Sequence, residues 1–595
     1  MKKVNKDNEL GIKENLIKEF NISKEVAEKL IADYGADIAN IITDKPYILS
    51  HYLMPLEEVK QIIEKCSTNK NEDYKNRNIV AALIIYVIES MAEFEGHVFC
   101  YKSELEDRVK GLEVFSNEEK SLNEALELLR IENEIVIDND SNGEVCIYLS
   151  RLYKAEVELA NVMSYLVKMN QCTNWKINNQ NKIGELINSY NNSDIKLNKD
   201  QIDAINTALN NGISIVSGLA GTGKTTVIKT IVEGFKAILP IHQPEIHIVA
   251  YTGKSVDELS KKTGIQGTTI HRFLGIGVDV NYKIESKKVD VIVVDESGLI
   301  GIELMNQLIC SAVKENPNVR VVIVGDPFQL QSIEPGCILK ELLKSEVIPV
   351  VELRDVVRQK KESLITNNAH KIIKGTGLDE SKSGVRLKRS EFEFIETESS
   401  DIKEKVLGAI DKLLNEGTSI YNIQVMSPMK KGINGVEELN REIADRFNYV
   451  TERDIYKFEV VDPIIVIRSM SSKGIFNGQQ GWVKKVEKST NGVELITADL
   501  FGIEVSFNKN EIEEIELSYA STIHKMQGSE CEVAIIVVDK AHERMLSREL
   551  LYVGVTRGVK QVILVGDKEA FNEGVRSVSK ERNSLLAERL VRISS

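Results

Sequence analysis

The sequence predicts a multidomain α/β protein: two parallel-sheet cores covered by helices on both faces, a small β-barrel insert in the second, and a helical N-terminal region. Three observations carry that prediction. From about residue 196 onward, short apolar runs alternate with amphipathic helical stretches, and they do so in two separate sets. The string GLAGTGKTT, residues 218–226, stands between one such run and a helix-forming stretch. Residues 460–515 carry strand formers and the turn dipeptides Asn477-Gly478 and Asn491-Gly492, with little helical periodicity.

Along the chain, residues 13–66 repeat apolar side chains at helical spacing (Leu16, Ile17, Phe20, then Val26, Ala27, Leu30, Ile31) with breaks at Gly35 and Pro46, which predicts an all-helical unit. Residues 78–149 begin helical and end in IVIDNDSNGEVCIYL, where Ser141, Asn142 and Gly143 turn between two alternating runs. Helices followed by a hairpin suggest a winged-helix-like module. Strands of the first core are expected over 213–217, 246–250, 289–294 and 320–324, and those of the second over 423–427, 533–538 and 561–565. The expected division is a helical region at 1–70, a winged-helix-like unit at 71–190, a first core at 191–360, a second core at 361–455 and 516–595, and the insert at 456–515.

At 595 residues, with 42% hydrophobic and 28% charged, the composition is that of a soluble globular chain of roughly three to five units. The longest apolar stretch, residues 79–88, falls far short of the ~20 residues that span a bilayer. The start, MKKVNKDNELGIK, has no apolar segment behind its basic residues. No membrane partner and a cytoplasmic location are therefore expected. Seven cysteines with no C-x-x-C pair and no histidine at ligand spacing point to neither a zinc site nor a disulfide framework. A net charge of −14 argues against a protein that coats DNA indiscriminately, but it permits a local basic channel.

The string from Gly218 to Thr225 fits G-x-x-x-x-G-K-[ST] in the strand-to-helix context that such a loop needs. Gly218, Gly221 and Gly223 let backbone N–H groups face phosphates, with Thr222 and Thr226 in the same loop and helix start. Lys224 reaches the terminal phosphates, and the Thr225 hydroxyl ligates Mg²⁺. Downstream, VDVIVVDES places Asp295 and Glu296 at the C-terminal edge of a buried strand, where ligands sit in open α/β sheets. One carboxylate holds Mg²⁺ and the next polarises the attacking water, which makes a nucleotide site a hydrolase. The following strand ends in VGDPFQLQSIEPG, where Gln329 is an uncharged donor suited to sensing a terminal phosphate. Arg358, in ELRDVVRQ, and Arg557, in LLYVGVTRG, are candidates for the arginine that stabilises phosphoryl transfer.

The order of these strings resembles the superfamily 1 helicases, specifically the RecD-like group (superfamily 1B). The matching strings are LNKDQIDAI, GLAGTGKTT, AYTGKSVDEL, TTIHRFLG, VVDES, GDPFQLQSIEPG, VVRQ, VMSPMKKGINGVEELN, YASTIHKMQGSE and YVGVTRG. The resemblance implies two RecA-like cores, an SH3-like insert, and ATP-dependent translocation 5′ to 3′ on single-stranded DNA with unwinding of tailed duplex, in repair or recombination. It implies ATP and Mg²⁺ as cofactors and makes a single-strand-binding protein a candidate partner. It assigns Gln201 to the adenine, adds Gly528 to the nucleotide-binding residues, and makes Lys224, Asp295, Glu296, Gln329, Arg358 and Arg557 the hydrolytic set. Thr252, His271, Thr522, His524 and Lys525 fall in motifs that line the single-strand path. A β-hairpin pin is expected at 275–290. The alternatives left open are an RNA helicase of the same superfamily and a DNA-stimulated ATPase that loads or scaffolds without unwinding.

The N-terminal strings, among them FNISKEVAEKLIADYGADIANIITDKPYIL and MAEFEGHVFCYKSEL, resemble the stand-alone long form of RecD, shortened at its N-terminus. HYLMPLEEVKQI stands where that form has a Gly-Ile-Gly-Phe hairpin, so the phosphate-binding nest of those glycines is not expected here. DESG, HKMQG, YVGVTRG and NGQQG depart from the commoner family strings without losing a catalytic side chain, and Met526 replaces a serine beside Gln527.

Overall fold

The computed structural model describes residues 6–594 apart from 69, 113–118, 170–174, 192–195, 240–242, 277–287, 356–362, 379–390, 448–457, 469, 471–472, 476, 490–491 and 501. Four helices, Lys6–Phe20, Lys24–Tyr34, Ile38–Asp44 and Leu56–Cys66, open the chain. They begin where the sequence punctuates: Ser23 Oγ accepts the Val26 N–H at 3.3 Å, and Asn71 Oδ1 caps the next helix, Glu72–Ser90, through the Tyr74 N–H at 2.9 Å. The apolar run at 79–88 lies inside that helix and is buried on most sides, which explains why it carries no polar stripe.

The strand Phe99–Tyr101, the helices Lys102–Lys110 and Glu119–Ile131, and the hairpin of Ile135–Asn139 with Val145–Leu149 come next. The hairpin forms where expected. Asp140 Oδ1 accepts the N–H groups of Asn142 and Glu144 and closes its turn. The three strands make one antiparallel sheet, in the order Phe99–Tyr101, Val145–Leu149, Ile135–Asn139.

The N-terminal elements share their core with the first parallel sheet. One apolar cluster runs from Leu16 through Leu83, Leu129 and Met163 to Ile213, Met305 and Leu339, and takes in Leu586 and Leu590 at the other end of the chain. The first sheet is six-stranded and wholly parallel, in the order Thr268–Thr269, Ile246–Ala250, Val291–Asp295, Arg320–Gly325, Ile213–Gly218, Val350–Leu353. Helices Lys199–Asn210 and Lys224–Ile238 cover its second face through Ala204, Leu209, Ile228 and Phe235.

The second parallel sheet has the order Phe392–Glu396, Gly558–Gly566, Cys531–Val538, Ile423–Ser427, Ala520–Thr522, with a separate apolar cluster on each face. The expected insert forms a five-stranded antiparallel sheet. Its order is Ile503–Asn508, Gly492–Leu500, Gln480–Ser489, Pro463–Val466, Ile515–Leu517, around a core of its own that includes Val483, Ile496 and Phe507. Among the described residues the ladder does not pair its two outer strands with each other.

The last helix, Leu586–Ser594, leaves the second core and returns to the N-terminal region. Arg589 Nε lies 3.0 Å from the fully buried Glu156, and its Nη2 lies 2.9 Å from Asp138. Glu156 also accepts Ser584 Oγ–H at 2.7 Å and the Leu585 N–H at 3.0 Å. Just before the helix, Arg582 donates to the carbonyls of Ser332, Glu334 and Gly336 in the first core. Among the described residues no helix is long and apolar enough to cross a membrane.

Candidate active site

The phosphate loop joins strand Ile213–Gly218 to helix Lys224–Ile238. Gly221 and Gly223 have φ of +82° and +87°, which side-chain-bearing residues seldom adopt, so these two glycines make the turn possible. Lys224 Nζ donates to the carbonyls of Gly218 at 2.7 Å and Leu219 at 3.1 Å, and Thr222 Oγ1 donates to Leu219 O at 2.9 Å. Thr225 and Thr226 stand in the first turn of the helix. Gln201 lies against the loop, with Nε2 donating to Thr222 O at 3.2 Å. Its other amide atom accepts the Asn198 N–H, so the same side chain closes a capping box at the start of its helix.

Asp295 ends strand Val291–Asp295, and Glu296 follows in a left-handed conformation, φ +49°. Burial pushes Asp295 above the usual carboxylate range, against the pull of Lys224. Burial together with the Asp295 charge pushes Glu296 up to about 7. Asp295 and Glu296 are recessed hard-oxygen donors of a kind that suits Mg²⁺, and Thr225 offers a hydroxyl from the first turn of the phosphate-loop helix. Asp326 and Gln329 occupy the turn after strand Arg320–Gly325 and are buried.

The second core meets this edge directly. Tyr552 Oη donates to Asp326 Oδ2 at 2.6 Å and accepts the Ala220 N–H of the phosphate loop at 3.0 Å. Gln527 Nε2 donates to Gln329 Oε1 at 3.3 Å. Arg557 is 4% exposed at the end of helix Arg548–Arg557, and its guanidinium is held by Val553 O, Ser529 O and Thr556 Oγ1 at 3.0–3.1 Å. Its charge is close enough to Glu296 to lower that carboxyl's pKa. The cleft thus gathers Lys224, Asp295, Glu296, Gln329 and Arg557. Arg358 lies outside the described residues, as do positions 277–287 of the expected pin.

Of the expected nucleic-acid contacts, Thr252 caps helix Gly253–Thr263, with Oγ1 accepting the Ser255 N–H at 3.2 Å. Thr522 Oγ1 likewise accepts the Lys525 N–H. Both hydroxyls are therefore used locally. Burial lowers the pKa of His271 and His524, so at neutral pH they act as neutral hydrogen-bonding rings. Lys525 Nζ pairs with Glu516 at 3.3 Å, a carboxylate it shares with Lys430. Gly528, with φ +75°, abuts Ser255 across the two cores.

Two further sets of residues escape sequence reasoning. Tyr552 is one, because nothing in YVGVTRG signals that its hydroxyl crosses to another core. The other is Lys254 with Gln480: the lysine is buried, burial lowers its pKa to about 8, and Nζ donates to Gln480 Oε1 of the insert at 2.7 Å. NGQQG was the signal for that pair, since it offers neutral acceptors where an acidic residue is usual.

Family models agree with this layout. The AAA domain matches residues 196–387, the UvrD-like helicase C-terminal domain 517–565, and the ATP-dependent RecD2 DNA helicase HHH domain 12–99. The chain is similar to the ATP-dependent RecD2 DNA helicase of Deinococcus radiodurans, 26% identical over 533 residues, covering 86% of this chain and 68% of that one. It is 26% identical over 578 residues to an uncharacterized protein of Methanocaldococcus jannaschii, of whose length it spans 47%. The RecBCD enzyme subunit RecD of Buchnera aphidicola is 25% identical over 592 residues, covering 84% of this chain and 92% of that one. With residues 12–99, 196–387 and 517–565 matched in this way, the chain is similar to RecD and RecD2 helicases over most of its length.

Proposed function

We propose that the chain is an ATP-driven motor that moves 5′ to 3′ along single-stranded DNA and separates the strands of a tailed duplex in the cytoplasm. One observation carries the reading. The phosphate loop, Asp295, Glu296 and Gln329, at the C-terminal edge of the first sheet, meet Tyr552 and Gln527 of the second core, with Arg557 at the end of the Tyr552 helix close enough to act on Glu296.

In this reading the loop N–H groups and Lys224 hold the phosphates, and Gln201 borders the base. Thr225 and Asp295 are the ligands for Mg²⁺, which when bound offsets phosphate charge during transfer. Glu296 orients water and takes its proton, a task suited to a carboxyl whose pKa burial has moved close to 7. Gln329 and Arg557 contact the terminal phosphate, so hydrolysis depends on how the two cores sit together. ATP binding and product release change that seating. The first core grips single-stranded DNA through Thr252 and His271 and the second through Thr522, His524 and Lys525, and their alternating grip makes each cycle a step. Neutral rings and hydroxyls suit a grip that reads no bases.

The test is ATP hydrolysis with and without single-stranded DNA, alongside strand displacement on matched DNA and RNA duplexes, with Lys224→Ala as control. The proposal expects DNA-stimulated hydrolysis and DNA unwinding, both lost in the variant. Stimulation without unwinding would favour a loader, and preference for RNA would move the substrate class.

A further inference from the structure

Two loops of the first core meet the second core at one phenol. Tyr552 is 1% exposed in helix Arg548–Arg557, and the apolar cluster around it takes in Leu219 of the phosphate loop and Leu330 of the Asp326–Gln329 turn. Its hydroxyl accepts from Ala220 N–H at 3.0 Å and donates to Asp326 Oδ2 at 2.6 Å, while Asp326 Oδ1 is taken by the Phe328 N–H at 3.0 Å. Burial and the Asp326 carboxylate push the phenol well above its ordinary pKa, so it remains a donor at any working pH. A buried hydroxyl with both hydrogen-bonding directions used fixes distance and angle together, and an apolar contact alone does not. Arg557 lies five residues further along the same helix, about 7.5 Å up its axis. The helix is short, and its far end carries the arginine assigned to the terminal phosphate. Any tilt of its seat on the phosphate loop therefore displaces that guanidinium.

We propose that Tyr552 is a positioning residue for ATP hydrolysis, an inference that rests on the motor reading above. Its hydroxyl seats the Arg557-bearing helix on the phosphate loop and on Asp326, so that Arg557 and Gln329 reach the same phosphate in register. It makes no contact with substrate itself and acts through Arg557.

Tyr552→Phe keeps the ring in its apolar surroundings and removes only the hydroxyl. DNA-stimulated hydrolysis is measured for the wild-type chain, Tyr552→Phe, Arg557→Ala and the double variant. Misplacement of a reacting group by an ångström costs on the order of a hundredfold, so kcat is expected to fall by about tenfold to a hundredfold. KM for ATP should change less than about twofold, because the phosphate loop itself is intact. In the Arg557→Ala background the same substitution should have almost no further effect on kcat. A merely structural hydroxyl would lower kcat by the same factor in both backgrounds and weaken ADP binding as well. That result, or a Tyr552→Phe chain as active as wild type, overturns the inference while leaving the motor reading intact. A wild-type chain without DNA-stimulated hydrolysis would sink the motor reading first, and this inference with it.

Discussion

Replacing Arg589 by alanine should release the C-terminal helix from the N-terminal region. The guanidinium pairs with Glu156, which is 0% exposed, and with Asp138, which is partly exposed. It also lies over the Tyr153 ring, 4.9 Å from the centroid. Removing it leaves Glu156 with three neutral donors, Tyr148 Oη, Ser584 Oγ and Leu585 N–H, and no opposing charge. Breaking a buried pair in this way costs about 3–5 kcal/mol, and the Asp138 contact adds little because water screens it. At 1.36 kcal/mol per decade, the lower bound corresponds to about a 150-fold rise in opening of the helix. Amide hydrogen exchange in Leu586–Ser594 reads that opening directly and does not require the whole chain to unfold in one step. Arg589→Met combined with Glu156→Gln removes both charges while keeping acceptors for Ser584 and Leu585, and should recover most of the protection. Exchange changed by less than about threefold in Arg589→Ala would refute the reasoning.

His51 predicts a pH dependence in the N-terminal region. Burial lowers its pKa, but hydrogen bonds with Glu134 and Glu89 outweigh that and raise it to about 8 from 6.5. The stabilisation is therefore complete below pH 6.5 and lost as pH rises through 8, about 2 kcal/mol in all. Exchange protection of Pro46–Tyr52 measured at pH 6 and pH 9 should differ by that amount, and His51→Gln should flatten the difference. Gly528→Ala places a Cβ 2.3 Å from Ser255 Oγ at φ +75°, with about 1–2 kcal/mol of backbone strain added to the clash. It should slow hydrolysis by separating the cores, with partial recovery on adding Ser255→Ala. A silent Gly528→Ala would show that this contact does not set the seating of the cores.

The central strands were legible because a strand buried on both faces reads as an unbroken apolar run. Ile246–Ala250 and Ile423–Ser427 have the expected bounds, and Val291–Asp295 shifts by two residues at its start. The edge strands were not. Thr268–Thr269, Ala520–Thr522 and Val350–Leu353 are two to four residues long, and only pairing with a distant partner makes them strands. The phosphate loop and Asp295–Glu296 were legible for a different reason, since each is a local string whose chemistry depends on a few adjacent backbone groups. Tyr552 with Ala220, Lys254 with Gln480 and Arg589 with Glu156 are separated by hundreds of residues, and no periodicity encodes them. The shared core between the N-terminal helices and the first sheet was hidden in the same way, because an apolar face does not say what covers it. The insert reads as β from its turn dipeptides, but its strand register is not legible in turns alone.

The most direct test of the central claim is strand displacement with ATP on one duplex bearing either a 5′ or a 3′ single-stranded tail, with Lys224→Ala as control. The account predicts unwinding of the 5′-tailed substrate alone, abolished in the variant. Unwinding of the 3′-tailed substrate, or opening of both tails by Lys224→Ala, would contradict it.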